Sequence, residues 1–185
     1  MALKATVHKA HLQIADMDRH YYQDHSLTLA QHPSETDDRL MVRLLAFALN
    51  ADEHLQFGKG LSDEEEPDAW IADLTGNLDL WIELGQPDEK RIRKACSRAK
   101  QVVVYAYSGN SADMWWQQIQ HKLDRLHNLT IYKLPAGTAA ELGKLVQRGM
   151  HLQCTIQERQ ALLTDGQQTV EIDVGAAQCF PDHGH

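Results

Sequence analysis

The residues best placed to do chemistry lie in "EPDAWIADLTGNLDLWIELGQPDEKRIRKA", residues 66–95, where Asp68 and Glu83 interrupt two alternating apolar runs that meet at a Gly-Asn turn. In a strand, successive side chains change faces, so Asp79, Trp81, Glu83 and Gly85 share one face. Leu80, Ile82 and Leu84 share the other, and their apolar character assigns that face to the core. Asp79 and Glu83 stand roughly 13 Å apart along one strand, too far to hold a small ion between them. The partner of Glu83 must come from the neighbouring strand. A two-residue turn at Thr75-Gly76 sets Asp68 directly opposite Glu83, and one at Gly76-Asn77 makes them diagonal neighbours on the same face. Either register leaves the carboxylates roughly 4.5 to 8 Å apart, whereas an odd-length loop would flip one strand and separate them.

Two carboxylates about 5 Å apart repel by roughly 3 kcal/mol at an effective dielectric of 20. Three arrangements offset that cost. A hard divalent cation such as Mg²⁺ accepts one or two carboxylates and keeps waters for chemistry. A raised pKa on one carboxyl gives an acid/base pair. Alternatively, Asp68 faces solvent beside Glu65 and Glu66, where the repulsion is screened.

The elements that must position these groups are legible from hydrophobic period. Residues 4–31 alternate in "ATVHKAHLQIAD" and "SLTLAQ", which predicts two antiparallel strands joined by the polar loop 17–25. In "HPSETDDRLMVRLLAFALN" the period changes. Ser34 serves as N-cap, Asp37 is the third helical residue, and Leu40, Met41, Leu44, Leu45 and Ala48 recur at helical spacing, predicting a helix over 35–50. A strand near "LQFGKG" precedes the acidic run "SDEEEPD" and the two carboxylate-bearing strands.

Beyond residue 87 helices and strands alternate. Pro87 suits a first helical turn, and "DEKRIRKACSRA" puts Ile92, Ala95, Cys96 and Ala99 on one face with Lys90, Arg91, Lys94 and Arg98 on the other. The continuous apolar run "QVVVYAYS" predicts a buried parallel strand. A helix in "SADMWWQQIQHKLDRLHN", a strand in "LTIYKL", a short helix in "TAAELGKLVQRG" and strands around an Asp-Gly turn in the last third complete the reading. The fold class is α/β (α+β): a mixed central sheet flanked by helices, with an added N-terminal hairpin and C-terminal strands. One domain over 1–178 is expected, with 179–185 as a flexible tail.

Composition narrows the function classes. A chain of 185 residues, 43% hydrophobic, supports one compact core. Its formal charge of −8 argues against a surface that grips a polyanion over its whole extent. Cys96, Cys154 and Cys179 form neither a disulfide framework nor a zinc spacing, and reduced thiols in the cytoplasm are the expectation. The N-terminal residues lack a signal-peptide core and no run reaches membrane-spanning length, so no membrane partner is expected. Neither a glycine-rich phosphate loop nor a nucleophile elbow is present. The oligomeric state is open, and a monomer is compatible with everything above.

The blocks "HPSETDDRLMVRLLAFAL", "KGLSDEEEPDAW", "WIELGQPDEKRIRKA" and "WWQQIQHKL" together resemble the YaeQ family of bacterial proteins over nearly the whole chain. That family is described as a variant of the PD-(D/E)XK nuclease fold, whose core runs helix, three antiparallel strands, helix, strand. The resemblance implies a Mg²⁺-dependent (or Mn²⁺-dependent) site in which Asp68, after Pro67, and Glu83 are the metal ligands, with Glu35 as a helical acidic residue assisting. The pattern also calls for a lysine two positions after the second acidic residue, and this chain has Gly85 there. Positioning of water and stabilisation of phosphate charge then falls to Gln86 or Lys90, and the basic residues Arg91, Lys94 and Arg98 become candidates for contacts to DNA or RNA phosphates. Trp70 and Trp81 in the hairpin would either stack on bases or pack against neighbours. Two functions are compatible with the resemblance. One is a metal-dependent nuclease; the other is a non-catalytic relative that binds nucleic acid or protein, with a role in gene expression, through the old cleft. The missing lysine and the acidic net charge favour the second, but the carboxylate geometry together with the resemblance makes the first, a Mg²⁺-dependent nuclease-like site acting on nucleic acid phosphodiester bonds, the leading expectation.

Overall fold

A computed structural model of the chain describes residues 4–58 and 66–181. The run 59–65, with most of the acidic cluster, and residues 182–185 lie outside the described residues. The N-terminal hairpin is β1 (Thr6–Asp16) and β2 (Tyr21–Gln31), antiparallel with Thr6 opposite Gln31 and Asp16 opposite Tyr21. The expected loop 17–25 is therefore shorter, because Tyr21 to His25 already pair with β1. Then come α1 (Asp37–Leu49), β3 (Gln56–Phe57), β4 (Ala69–Ala72), β5 (Leu78–Leu84), α2 (Glu89–Arg98) and β6 (Ala99–Ala106). The chain continues through α3 (Asn110–Ile119), a 3-10 turn, β7 (Leu129–Lys133), α4 (Thr138–Gly143), β8 (Gly149–Gln157), β9 (Gln160–Thr164), β10 (Thr169–Asp173), α5 (Val174–Ala177) and β11 (Gln178–Phe180).

The strands build two mixed sheets rather than one central sheet. The first has the order β10-β9-β8-β1-β2 and the second β11-β7-β6-β5-β4-β3. In the second, β3, β4 and β5 are antiparallel neighbours, and α2 then carries the chain over to β6, parallel to β5. The expected order of helix, three antiparallel strands, helix and strand is thus present in α1 to β6. The hairpin and the C-terminal strands make their own sheet because β8 pairs in parallel with β1, 140 residues away (His11 opposite His151).

α1 explains the arrangement. From Leu40 to Ala48 every residue is buried, where a helix on the surface would hide one stripe. It lies between the sheets: its residues share a core with Leu12, Leu152 and Leu163 of the first sheet and Ile82, Leu84 and Val103 of the second. A separate core on the far face of the second sheet joins Trp81, Val102, Val104 and Ile131 to Ile92 and Ala95 of α2 and Ile119 of α3. Both faces of β5 are consequently covered, and Trp81 is 1% exposed, so the idea of a base stacking on it fails. Gln178–Phe180 form the edge strand β11 against β7, and residues 182–185 of the expected tail lie outside the described residues.

Candidate functional site

The β4–β5 hairpin keeps the register that brings Asp68 toward Glu83, by a route other than a two-residue turn. Ala69 stands opposite Ile82, Trp70 opposite Trp81 and Ile71 opposite Leu80, and the register shifts by one residue before Ala72 meets Leu78. The bulge compensates for the loop 73–77. In that loop the Asp73 carboxylate accepts the Thr75 and Asn77 amides at 2.8 and 2.9 Å, and Gly76 turns at φ +88°. At the other end of β4 the Asp68 amide donates to the Ile82 carbonyl at 2.9 Å, and the Gly58 amide donates to the Asp68 carbonyl at 2.7 Å. A Cβ at Gly58 would collide with the Pro67 carbonyl, so glycine allows β3 to lie against the Pro67-Asp68 step.

Helix caps place the other half of the site. Thr36, not Ser34, caps α1 by accepting the Arg39 amide at 3.1 Å, which leaves Glu35 just ahead of the helix. Asp88 caps α2 by accepting the Arg91 amide at 2.8 Å, and Pro87 falls one residue before that cap. Arg39 and Arg91 are therefore the third residue of their respective helices. A cation in the first turn opposes the helix dipole, so each needs a carboxylate partner.

Two of those partners, Asp68 and Glu83, are the residues predicted to hold a metal, and the third, Glu35, is the acidic residue expected to assist them. Arg39 donates from Nη1 to Glu35 Oε2 at 2.6 Å and from Nη2 to Asp68 Oδ1 at 2.8 Å. Arg43, one turn on and itself buried, donates to the other Glu35 oxygen at 2.8 Å. Asp68 Oδ2 accepts the Leu84 amide at 2.8 Å. Glu83, 8% exposed, accepts Arg91 Nε on Oε2 and, on Oε1, Arg91 Nη2 at 3.1 Å and the Trp81 indole N–H at 2.9 Å. The two carboxylates thus turn to helices on opposite faces of the sheet, Asp68 to α1 and Glu83 to α2. They still sense each other: burial pushes the Glu83 carboxyl above its ordinary value, the Arg91 hydrogen bond opposes this, and the Asp68 charge adds to the rise. Burial works against the charge on Arg39, yet Asp68 and Glu35 hold it above its ordinary value.

Mg²⁺ does not fit this donor set as it stands. All four oxygens of Asp68 and Glu83 already accept N–H groups, and two guanidinium charges sit where a cation would. Among the described residues no three His, Cys, Asp or Glu side chains form a metal-binding group. The carboxylate repulsion anticipated from sequence is offset by arginine.

The remaining candidates are dispersed. Gln86 is exposed and donates to Ser111 Oγ at 2.6 Å, and Lys90 is exposed on α2 while the hydrogen bonds of Glu35, Asp68 and Glu83 go to other groups. Arg91 points inward, with a further hydrogen bond to the Glu66 carbonyl at 3.0 Å, and so leaves the basic face expected for phosphates. Arg98 lies over the Trp81 ring at 5.5 Å, and Lys94 is half-buried. Sequence reasoning missed Arg39 and Arg43. The Glu35-Arg39-Arg43 spacing of four, with Arg43 inside an otherwise apolar helix, was the available signal.

Comparison with known proteins agrees with this architecture of two mixed sheets around a buried helix. Residues 1–174 match the family model described as YaeQ protein, and the chain belongs to that family. It is 49% identical over 178 residues to the uncharacterized protein YaeQ of Salmonella typhi, covering 96% of this chain and 98% of the relative. The corresponding Escherichia coli (strain K12) protein is 46% identical with the same coverage. The crystal structure of YaeQ from Xanthomonas axonopodis pv. citri superposes with a TM-score of 0.89 at 52% identity, covering 91% of this chain and 96% of that one. The Pseudomonas syringae YaeQ structure gives 0.90 at 32% identity, covering 97% and 98%. No helix among the described residues is long and apolar enough to cross a membrane.

Proposed function

We propose that this chain is a non-catalytic, protein-binding member of the nuclease-like group it resembles, its acidic site held shut by arginines. The observation that carries the reading is the saturation of Asp68 and Glu83 by Arg39, Arg91 and two N–H groups. A nuclease site must present free carboxylate oxygens to its metal and a free cation to the phosphate. Here the nearest cations are committed to the carboxylates. The inward turn of Arg91 and the net charge of −8 also weigh against nucleic acid as the partner.

A second reading, a phosphodiesterase dependent on Mg²⁺ or Mn²⁺, draws on the chain of contacts from Glu35 through Arg39 to Asp68 and the charge coupling of Asp68 to Glu83. It needs one arginine to swing away. Titration calorimetry with both metals on the native chain, Asp68→Ala and Glu83→Ala, joined to cleavage assays on single- and double-stranded DNA and RNA, separates the two. The non-catalytic reading expects no saturable metal binding and no cleavage. Metal binding abolished in both variants, together with cleavage by the native chain, overturns it.

A further inference from the structure

The four sheet edges are not alike. β3 has two residues; β11 has three and an irregular register; β10 has five and carries Glu171 and Asp173. Short, bulged or charged edges resist pairing with another chain. β2 is the exception. It runs for eleven residues, pairs with β1 one-to-one along its whole length without a bulge, and reads "YYQDHSLTLAQ", with no lysine, arginine or proline and Asp24 as its sole carboxylate. Among the described residues its only strand partner is β1; on its outer row the Ala30 carbonyl accepts Arg43 Nη2 at 3.0 Å, and the outward amides and carbonyls from Tyr22 to Thr28 are left for another strand.

We propose that the edge of β2 pairs antiparallel with β2 of a second copy, across a two-fold axis at Ser26. Arg43 Nη2 links this edge to the carboxylate site, since it donates to both the Ala30 carbonyl and Glu35. A two-fold perpendicular to the sheet keeps both buried faces on one side, which requires directly opposed residues to share a face. Centring on Ser26 meets that condition and uses the full strand, with Tyr21 opposite the partner's Gln31 and Gln31 opposite the partner's Tyr21.

Charge placement favours this occupant and this register. Lys9 on β1 reaches across the open face to Thr28 Oγ1 at 2.8 Å. In the proposed pairing Thr28 stands opposite the partner's Asp24, so each Lys9 ammonium meets a carboxylate of the other copy, twice by symmetry. Tyr22, 56% exposed, gains the partner's Ala30 as its neighbour. Sliding the centre to Asp24 would oppose two aspartates and lose pairs. The product is a ten-stranded sheet running from β10 to the partner's β10.

Sedimentation velocity of the full chain across micromolar concentrations tests the proposal. The native chain is expected to reach a dimer. Ser26 is exposed, and Ser26→Lys or Ser26→Glu sets like charges opposite each other at the axis, raising the dissociation constant roughly tenfold or more. An equimolar mixture of the two variants is expected to recover the dimer, a result that misfolding of either could not give. A native chain that stays monomeric, Ser26→Lys dimerising as well as native, or a mixture no better than its components would each overturn it.

Discussion

Arg91 grips Glu83 with both sides of its guanidinium fork, Nε on Oε2 and Nη2 on Oε1, while the Trp81 indole donates to the same carboxylate. Their side chains are 23% and 10% exposed, which makes this a largely desolvated pair. Removing one partner of such a pair is costlier than removing both, because the survivor is a buried charge. Arg91→Ala is expected to cost about 3 kcal/mol in urea unfolding, and the same change in a Glu83→Leu background about 1 kcal/mol or less.

The pH dependence of this pair has a definite sign. A carboxyl whose pKa is raised on folding binds its proton more tightly in the native state. Its contribution to stability is greatest below the ordinary value, 4.5, and falls as pH rises from there through the folded value. The stability of the native chain relative to Glu83→Gln should therefore decline over that window and then level. Because Asp68 adds to the rise, Asp68→Asn should move the Glu83 titration, monitored by carbon NMR, toward lower pH.

Arg39 joins two carboxylates that come from different parts of the chain, Glu35 before α1 and Asp68 before β4. A planar fork reaches both; an ammonium is a single point and cannot. Arg39→Lys is expected to lose about 2 kcal/mol despite keeping the charge, and Arg39→Ala about 3 kcal/mol or more, both read from urea midpoints. Equal stability of native and Arg39→Lys would show that charge alone suffices.

What sequence revealed and what it concealed divide along physical lines. Period 2 in β1 and β5 and the unbroken "VVVYA" of β6 are signals of local burial, and the strands lie where those signals fall. The partition into two sheets was hidden because the β1–β8 pairing is long-range and leaves no local mark. α1 shows the limit of periodicity. Leu40, Leu44 and Ala48 mark one stripe, but Val42 and Phe47 are equally buried because a sheet lies on each side. At the site, the pattern brought Asp68 and Glu83 to neighbouring strand positions, yet spacing says nothing about which cation each carboxylate takes. The helix caps decided that, by putting Arg39 and Arg91 at the third helical position.

The three thiols should be inert. Burial pushes Cys96 and Cys179 up to about 11 and Cys154 up to about 12, far from the thiolate range at neutral pH. Alkylation with iodoacetamide at pH 8 should leave the folded chain largely unmodified while the urea-unfolded chain takes up three groups by mass spectrometry. Rapid labelling of Cys154 in the native chain would contradict its burial, and rapid labelling of the half-buried Cys96 or Cys179 would contradict the raised thiol values.

Gly85 stands two positions after Glu83, where the resemblance to a nuclease pattern would call for a lysine, and its backbone disfavours any side chain there. Gly85 sits at φ +102°, outside the range an L side chain adopts at ease, while its amide is fixed to the Tyr105 carbonyl at 2.9 Å. No heavy atom lies within 4 Å of a Cβ built there, so a substitution meets backbone strain and no steric clash. Gly85→Ala and Gly85→Lys should accordingly cost the same, about 1–3 kcal/mol, since the strain depends on the presence of a Cβ and not on the side-chain atoms beyond it. The lysine should also bring no cleavage, because Arg39 and Arg91 still occupy the carboxylate oxygens. Urea unfolding of both variants, with cleavage assays of Gly85→Lys in Mg²⁺ and Mn²⁺, checks the pair of expectations. Cleavage gained by Gly85→Lys would mean that a missing cation, and not the arginine clamps, had kept the site silent.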